Sequence, residues 1–512
     1  MEREESGRAS SQFCGRGAVN NESIYKLAFK QFIAFCLWVA LARVSNGFIL
    51  PVMTLLGVVW TFKGEFGKAL SLYSMLLLMV VLNTNILPKL GMMYTLGLRF
   101  GPLLIGLTLA IRGAMVTSRQ ALPLGMMLLF LLVATFSSIG GWCPEVSYLK
   151  LINFLVFFLG VWLGTKGLQQ DPQGVVILRA TLLALAIFLI AGSAALLPFP
   201  GISTLNALRT LEEVEDVALK NEIMREIIDT GGMALFCGVT SHSQALSPLL
   251  VCAFAWIMSD LLFVEGRFRW LHIVLLVLAL PLLYLTRSRV AFLSVITVLC
   301  VVYFYLPRKL ALDRKVKRWL GHILLVGGVA LIAASGISEA RSNAISRWLR
   351  KTDDVKADQR SLSEAFTASR QGLIEMCMDD FRKSPMLGMG FQVAEYTREH
   401  ARQHKGLVLS SPIEKGVIPV MVLGEAGLVG AVVFVMFVLV FYAGCTHKKL
   451  YISWSMMVVF LAINMGEATF FSPGGCGGIE WMILIVGGYA LDLMLAARQR
   501  IAVEYESMEG GI

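Results

Sequence analysis

The turn Thr286-Arg287-Ser288-Arg289 sets two arginines between long apolar stretches. Charge at the edge of a hydrocarbon layer is costly, so these residues need a reason. A guanidinium stays charged and offers a planar fork of donors that matches phosphate oxygens, which suits a diphosphate group. Snorkelling toward lipid headgroups accounts for either arginine taken alone. A second group follows: Ser369-Arg370-Gln371-Gly372-Leu373, then Pro385-Met386-Leu387-Gly388-Met389-Gly390-Phe391. An ordinary helix closed by a Pro/Gly turn explains it, and Gly388 and Gly390 could equally let the backbone approach a ligand. Further on, Pro412-Ile413-Glu414-Lys415-Gly416 opens a long apolar stretch that contains Glu425. A carboxylate at membrane depth is a functional candidate by default, with a structural partnership to a nearby arginine as its alternative. Glu467, ahead of Phe470-Phe471-Ser472-Pro473, is a further candidate.

There are six histidines. His400 and His404 stand four apart and would share one helix face. That spacing can hold a metal, but no acidic companion motif accompanies it and basic residues surround it, so no metal site is expected. No P-loop, dinucleotide fingerprint or HExxH motif occurs, which argues against an ATP-driven pump and leaves no cofactor expected. The nine cysteines show no metal-ligand spacing. Cys36, Cys252 and Cys300 read as packing residues inside apolar stretches. Cys143, Cys237, Cys377 and Cys476 fall in segments read as external, where disulfides can form.

The elements that must position these residues are membrane helices. The chain has 512 residues, 56% hydrophobic and 16% charged, well below the charge of a soluble domain. Its apolar residues fall in blocks long enough to cross a hydrocarbon core, about 14 in all. They cover residues 28–42, 47–62, 69–87, 93–111, 120–138, 149–165, 175–197, 244–264, 270–285, 290–306, 319–336, 416–443, 450–465 and 479–497. The first two are interrupted by Arg43 and Asn46 and could form one broken helix. Residues 1–26 are polar and lack the apolar core of a cleavable signal, so the first membrane helix is expected to direct insertion.

The formal charge of +10 reflects basic loops rather than a nucleic-acid partner. The most basic loop, Pro307 to Arg318, must be cytoplasmic. Alternating from it puts Lys63, Arg112, Lys166, Arg267 and Lys448 inside, with both termini, 1–27 and 498–512. Segments 198–243 and 337–415 then lie outside. Residues 206–228 of the first alternate apolar and charged residues at helical spacing, as a helix on the membrane surface or on the protein's own external part would. The second is too long for a mere connector and is expected to be functional. The expected architecture is an all-α polytopic membrane protein: membrane helices in 28–197, 244–336 and 416–497, and a large periplasmic loop domain late in the chain.

These clusters, in this order, resemble the bacterial O-antigen ligase and O-antigen polymerase superfamily. Its Ser-Arg turn between mid-chain helices is matched by Ser288-Arg289. Its Arg-x-x-Leu helix and Pro-Leu-x-Gly-x-Gly turn look like Arg370 to Leu373 and Pro385 to Gly390, and its Glu-x-Gly-x-x-Gly motif like Glu425 to Gly430. Ser241-His242-Ser243-Gln244 resembles the short polar motif that opens an earlier helix. The resemblance covers roughly Ser241 to Gly430. One departure stands out: where ligases carry a His-Asn pair ahead of the last motif, this chain has Glu414-Lys415-Gly416.

The resemblance implies transfer of a glycan from an undecaprenyl diphosphate carrier, at the periplasmic face of the bacterial inner membrane. The acceptor hydroxyl would belong to lipid A-core, another glycan or a further molecule. Arg289 and Arg370, with Arg287 as helper, would stabilise the departing diphosphate. Glu414 would be the base, or else His400 or His404. His242, Gly388, Gly390 and Glu425 would support the site. Loss of the usual histidine leans toward a polymerase or another exopolysaccharide enzyme. The competing class is a flippase or exporter of lipid-linked saccharide or another anion, which would also use membrane arginines. Transporters often show two repeated halves, and none is visible here.

Overall fold

The structure, a computed structural model, describes residues 21–88, 91–116, 122–199, 202, 236–264, 268–286, 288–310, 362–395 and 417–509. Lipid supplies no hydrogen-bonding partner, so each apolar stretch must satisfy its own backbone, and each one among the described residues does so as a helix. Helix makes up 82% of the structure, with no strand among the described residues. A single bridge joins Leu82 to Thr240. In chain order the helices are α1 (Asn21–Val44), α2 (Ile49–Phe62), α3 (Phe66–Val81), α4 (Met92–Val116), α5 (Leu122–Ile139), α6 (Pro144–Gly167), α7 (Pro172–Ala195), α8 (Ser243–Asp260), α9 (Arg269–Leu285), α10 (Arg289–Cys300), α11 (Leu362–Lys383), α12 (Ile418–His447), α13 (Tyr451–Ile463) and α14 (Cys476–Arg500). Eight of them are long and apolar enough to cross a membrane. Five more, α2, α3, α9, α10 and α13, are shorter apolar helices. The polar helix α11 is a separate case, packed on α12.

The expected segment 319–336 lies outside the described residues, as do the amphipathic stretch 206–228 and much of 337–415. The first two helices are not one broken helix. Asn46 (φ 50°) and Gly47 (φ 85°) turn the chain sharply between them. Cys300 does not pack inside as expected but is exposed on α10, whereas Cys252 is fully buried. No disulfide joins any of the described cysteines.

What faces outward identifies the solvent. On α1 the exposed residues include Phe29, Ile33, Leu37, Leu41 and Val44, and on α12 Leu428, Val432, Val435 and Leu439. Steps of three and four put each set on one helix face. Apolar stripes of this extent on several helices would be untenable in water and are normal against acyl chains. The chain is an integral membrane protein. Between helices, small residues allow close approach, as is common in membranes. Where α4 crosses α6, a Cβ on Gly160 would lie 2.4 Å from the Gly106 carbonyl oxygen.

Contacts between helix ends sort the bundle into two ends. At one, Asp171 caps α7 by accepting from Gly174 N (2.8 Å) and also accepts from Gly67 N (2.9 Å), tying α7 to the start of α3. The start of α13 and the last third of α14 meet there too, where Asp492 accepts from Ser453 N at 2.8 Å. The other end gathers the α5–α6, α9–α10 and α13–α14 turns, the start of α12 and the segment after α11.

A buried polar network lies among α1, α7, α8 and α9. Arg179 Nε donates to Asp260 Oδ1 at 2.7 Å, and His272 Nε2 sits 2.9 Å from Asp260 Oδ2. A proton on Nε2 suits the carboxylate and leaves Nδ1 facing the Tyr25 hydroxyl at 3.2 Å. Arg179 and Asp260 are each about 1% exposed. Breaking one side of such a pair strands a charge, at a cost of about 3–5 kcal/mol. Asp260→Asn is therefore expected to lower the melting temperature in detergent markedly. Adding Arg179→Met should restore most of the loss, because no charge is then left alone. A double variant no more stable than Asp260→Asn would contradict this account.

Candidate functional site

Two of the motifs are parts of one object. α12 is a 30-residue helix broken at Gly427, whose φ of 63° and ψ of −166° are not helical. The break exposes two carbonyls before it and two N–H groups after it, and the turn that follows α11 satisfies all four. Met389 N donates to Gly424 O (2.9 Å) and Gly390 N to Glu425 O (3.1 Å). In the other direction, Leu428 N donates to Pro385 O (2.8 Å) and Val429 N to Met386 O (3.2 Å). The two backbones touch, which is why both motifs need glycine. A Cβ on Gly388 would lie 2.4 Å from the Glu425 carbonyl carbon, and one on Gly427 2.3 Å from that of Met386. Gly388 therefore lies against α12, and Gly390 lies beside Ser138 and Gly141, where α5 turns into α6.

A second layer holds this interlock. Ser137 Oγ accepts from Gly390 N at 3.0 Å and donates to the Glu425 carbonyl. Ser147 Oγ accepts from Phe391 N (2.9 Å) and shares a hydrogen bond of 2.5 Å with Ser138 Oγ. Trp142 N donates to Met389 O at 3.1 Å. Its Nε1 donates to Asp380 Oδ1 at 2.8 Å, while Lys383 Nζ lies 4.3 Å above its ring. Lys150, buried on α6, donates to Gln392 O at 2.9 Å. Beneath, Phe391 packs on Phe471 with centroids 5.4 Å apart, and Phe130, Phe154 and Phe434 enclose the pair.

The α13–α14 turn links this interlock to the arginine turn. Ser472 Oγ accepts from Gln392 Nε2 at 3.4 Å, and Ile418 N at the start of α12 donates to Asn464 O at 3.0 Å. On its other side Gly466 presses on α10, where a Cβ would meet Val290 Cγ2 at 2.0 Å. Ser288 Oγ caps α10 by accepting from Ala291 N (3.3 Å), which makes Arg289 the first residue of that helix. Arg289 is only 6% exposed and Glu425 2%. Glu467 is also buried in this turn. Nearby Glu480 accepts from Thr469 Oγ1 at 2.6 Å. A buried cation at a positive helix terminus, with carboxylates on adjoining elements, suits an anionic group and the hydroxyl chemistry beside it.

Of the remaining candidates, His242 caps α8, its Nδ1 accepting from Ala245 N at 2.9 Å, and Ser241 N donates to Val81 O at 2.9 Å. Next to it Asn83 Nδ2 approaches Cys237 Sγ at 3.7 Å, and burial pushes that thiol up to about 11. Arg370 lies on α11, two turns ahead of Cys377, which packs on α12 beside Gly424. Arg287, His400, His404 and Glu414 lie outside the described residues. Sequence reasoning missed Lys150, Ser137, Ser147 and Trp142. Their signal was a lysine and paired serines at the ends of otherwise apolar helices.

Residues 273–435 match the family described as O-antigen ligase. The matched stretch runs from the start of α9 to the middle of α12, and takes in Arg289, Arg370, the Pro385–Gly390 turn and the α12 break. No curated protein matches the chain. The ordered motifs, folded into one interlocked end of a membrane bundle, thus lie within or beside a stretch similar to the O-antigen ligase family, which supports the resemblance to the O-antigen ligase and polymerase superfamily.

Proposed function

We propose that the protein transfers a glycan from a polyprenyl diphosphate carrier, undecaprenyl diphosphate in the bacterial inner membrane, to an acceptor hydroxyl at the periplasmic face. The family match supports a role of this type, and the observation that carries the reading is the placement of Arg289. It is buried as the first residue of α10, at the end of the bundle that holds the family's other motifs. A carrier lipid held among the helices would bring its diphosphate to about this depth. The leaving diphosphate gathers negative charge as the glycosyl bond breaks. A fixed guanidinium aimed at it stabilises that state without reorganisation. Arg370 and Arg287 would add to this charge. Glu414 would take the proton of the acceptor hydroxyl, with His400 or His404 as the alternative base. Gly388, Gly390 and Glu425 serve by fixing the turn and the break in α12, and His242 by fixing the start of α8. No cofactor and no metal enter this scheme.

The test is a transfer assay on purified protein in detergent with an undecaprenyl diphosphate-linked repeat unit, with and without lipid A-core. Ladders formed without lipid A-core would identify a polymerase, which the Glu414-Lys415-Gly416 sequence favours. A product only with lipid A-core would identify a ligase. Absence of transfer to any acceptor, with movement of the lipid across vesicles, would replace this reading with a transporter.

A further inference from the structure

At the end of the bundle away from Arg289, a cavity of about 280 Å³ opens between α5, α6, α12 and α14. That is near the lower end of small-molecule pockets, about 300 Å³. It lies roughly 30 Å along α12 from Glu425, measured to Cys445, which is the thickness of a hydrocarbon core. Its walls are apolar, with Phe158, Trp162, Phe441 and Trp481 among them, and two lysines, Lys166 and Lys448, stand in its lining. Leu122 and Ala443, both exposed, mark its mouth on the outer surface of the bundle.

The lysines are the unusual feature. Lys166 Nζ lies 4.9 Å over the Tyr489 ring and 5.6 Å over the Trp162 ring. Among the described residues neither lysine forms an ion pair. Asp492, one turn beyond Tyr489, is turned to the start of α13, where Ile452 N and Ser453 N occupy it. Two neighbouring cations thus flank a greasy cavity, and among the described residues no carboxylate pairs with them. A lysine ammonium serves well as a point charge for phosphate.

We propose that this cavity binds an anionic phospholipid of the surrounding bilayer, with an acyl chain between α6, α12 and α14 and the phosphate at Lys166 and Lys448. The lipid chemistry follows from the walls, and the sign of the headgroup from the lysines. The site is separate from the transfer site and on the opposite leaflet, so it takes a bilayer lipid rather than the glycan carrier.

Native mass spectrometry of the full chain in detergent tests this, with phosphatidylglycerol, phosphatidylcholine and inorganic phosphate as separate probes. Wild type should retain phosphatidylglycerol in preference to phosphatidylcholine. Lys166→Ala with Lys448→Ala should weaken phosphatidylglycerol about thirtyfold, equivalent to about 2 kcal/mol from two lysines, and abolish the preference. Gly444→Leu keeps both lysines but fills the cavity, since a Cβ there meets only Pro123 Cγ at 3.8 Å. It should weaken both lipids and so tests the site even if the lysine variant fails to fold. Equal retention of phosphatidylglycerol by wild type and Gly444→Leu would overturn the proposal. So would displacement of the lipid by inorganic phosphate alone, or by undecaprenyl phosphate at equal concentration.

Discussion

Arg289→Ala is expected to lower the rate of glycan transfer by about a hundred- to a thousandfold, the usual loss when one preorganised donor is removed from a site of developing charge. The argument rests on place as much as on type. Ser288 caps α10 and fixes where the helix begins, so Arg289 is its first residue and adds its charge to the positive end of the helix. Burial at 6% exposure removes much of the solvent screening that would weaken a surface arginine. Arg289→Lys keeps the charge but loses the planar fork, so an intermediate rate is expected. Initial transfer rates for the three proteins, with melting temperatures as a check on folding, decide the matter. A folded Arg289→Ala protein with an undiminished rate would remove this residue from the chemistry.

The second large effect is structural. Gly388→Ala should destabilise the protein by about 3–5 kcal/mol, beyond the range of most single substitutions. Two costs combine. Gly388 has φ +78°, and an L side chain there is strained. Its new Cβ would also meet the backbone of Glu425 and Ala426, at 2.4 and 2.5 Å, with no flexible side chain able to yield. The turn must then withdraw from α12, leaving the Gly424 carbonyl and the N–H groups of Leu428 and Val429 without their partners and the Glu425 carbonyl with Ser137 alone. Gly125→Ala on α5, where a Cβ would meet nothing within 4 Å, is the control and should leave the melting temperature unchanged or slightly raised. Comparable melting of the two variants would show that the interlock is not tight.

The helices themselves were legible because hydropathy depends only on what each residue is. The expected segments fall on helices wherever the structure describes them, with errors confined to the ends. The stretch 69–87 becomes a helix at Phe66–Val81, because Leu82 and Asn83 leave the helix to pair with Thr240 and Val239. The stretch 416–443 becomes Ile418–His447, because polarity ends a hydropathy block before geometry ends a helix. The motifs were legible too, as an ordered set of residue types, and the match over 273–435 rests on the same information.

Tertiary structure alone decided how the motifs meet. The glycines at 388 and 390 suggested room for a ligand, yet Gly388 lies against α12 and Gly390 beside Ser138 and Gly141, and nothing local to the turn encodes those meetings. Lys150 bonds the carbonyl of a residue 242 positions away, and Arg179 finds Asp260 across 81. Sequence by itself determined that this chain must be a bundle of membrane helices and which residues could carry charge into it, since both follow from each residue's cost in lipid. Which of those charges meet, and which backbone groups a broken helix hands to a passing turn, depend on contacts between segments far apart in the chain, and packing alone fixes them.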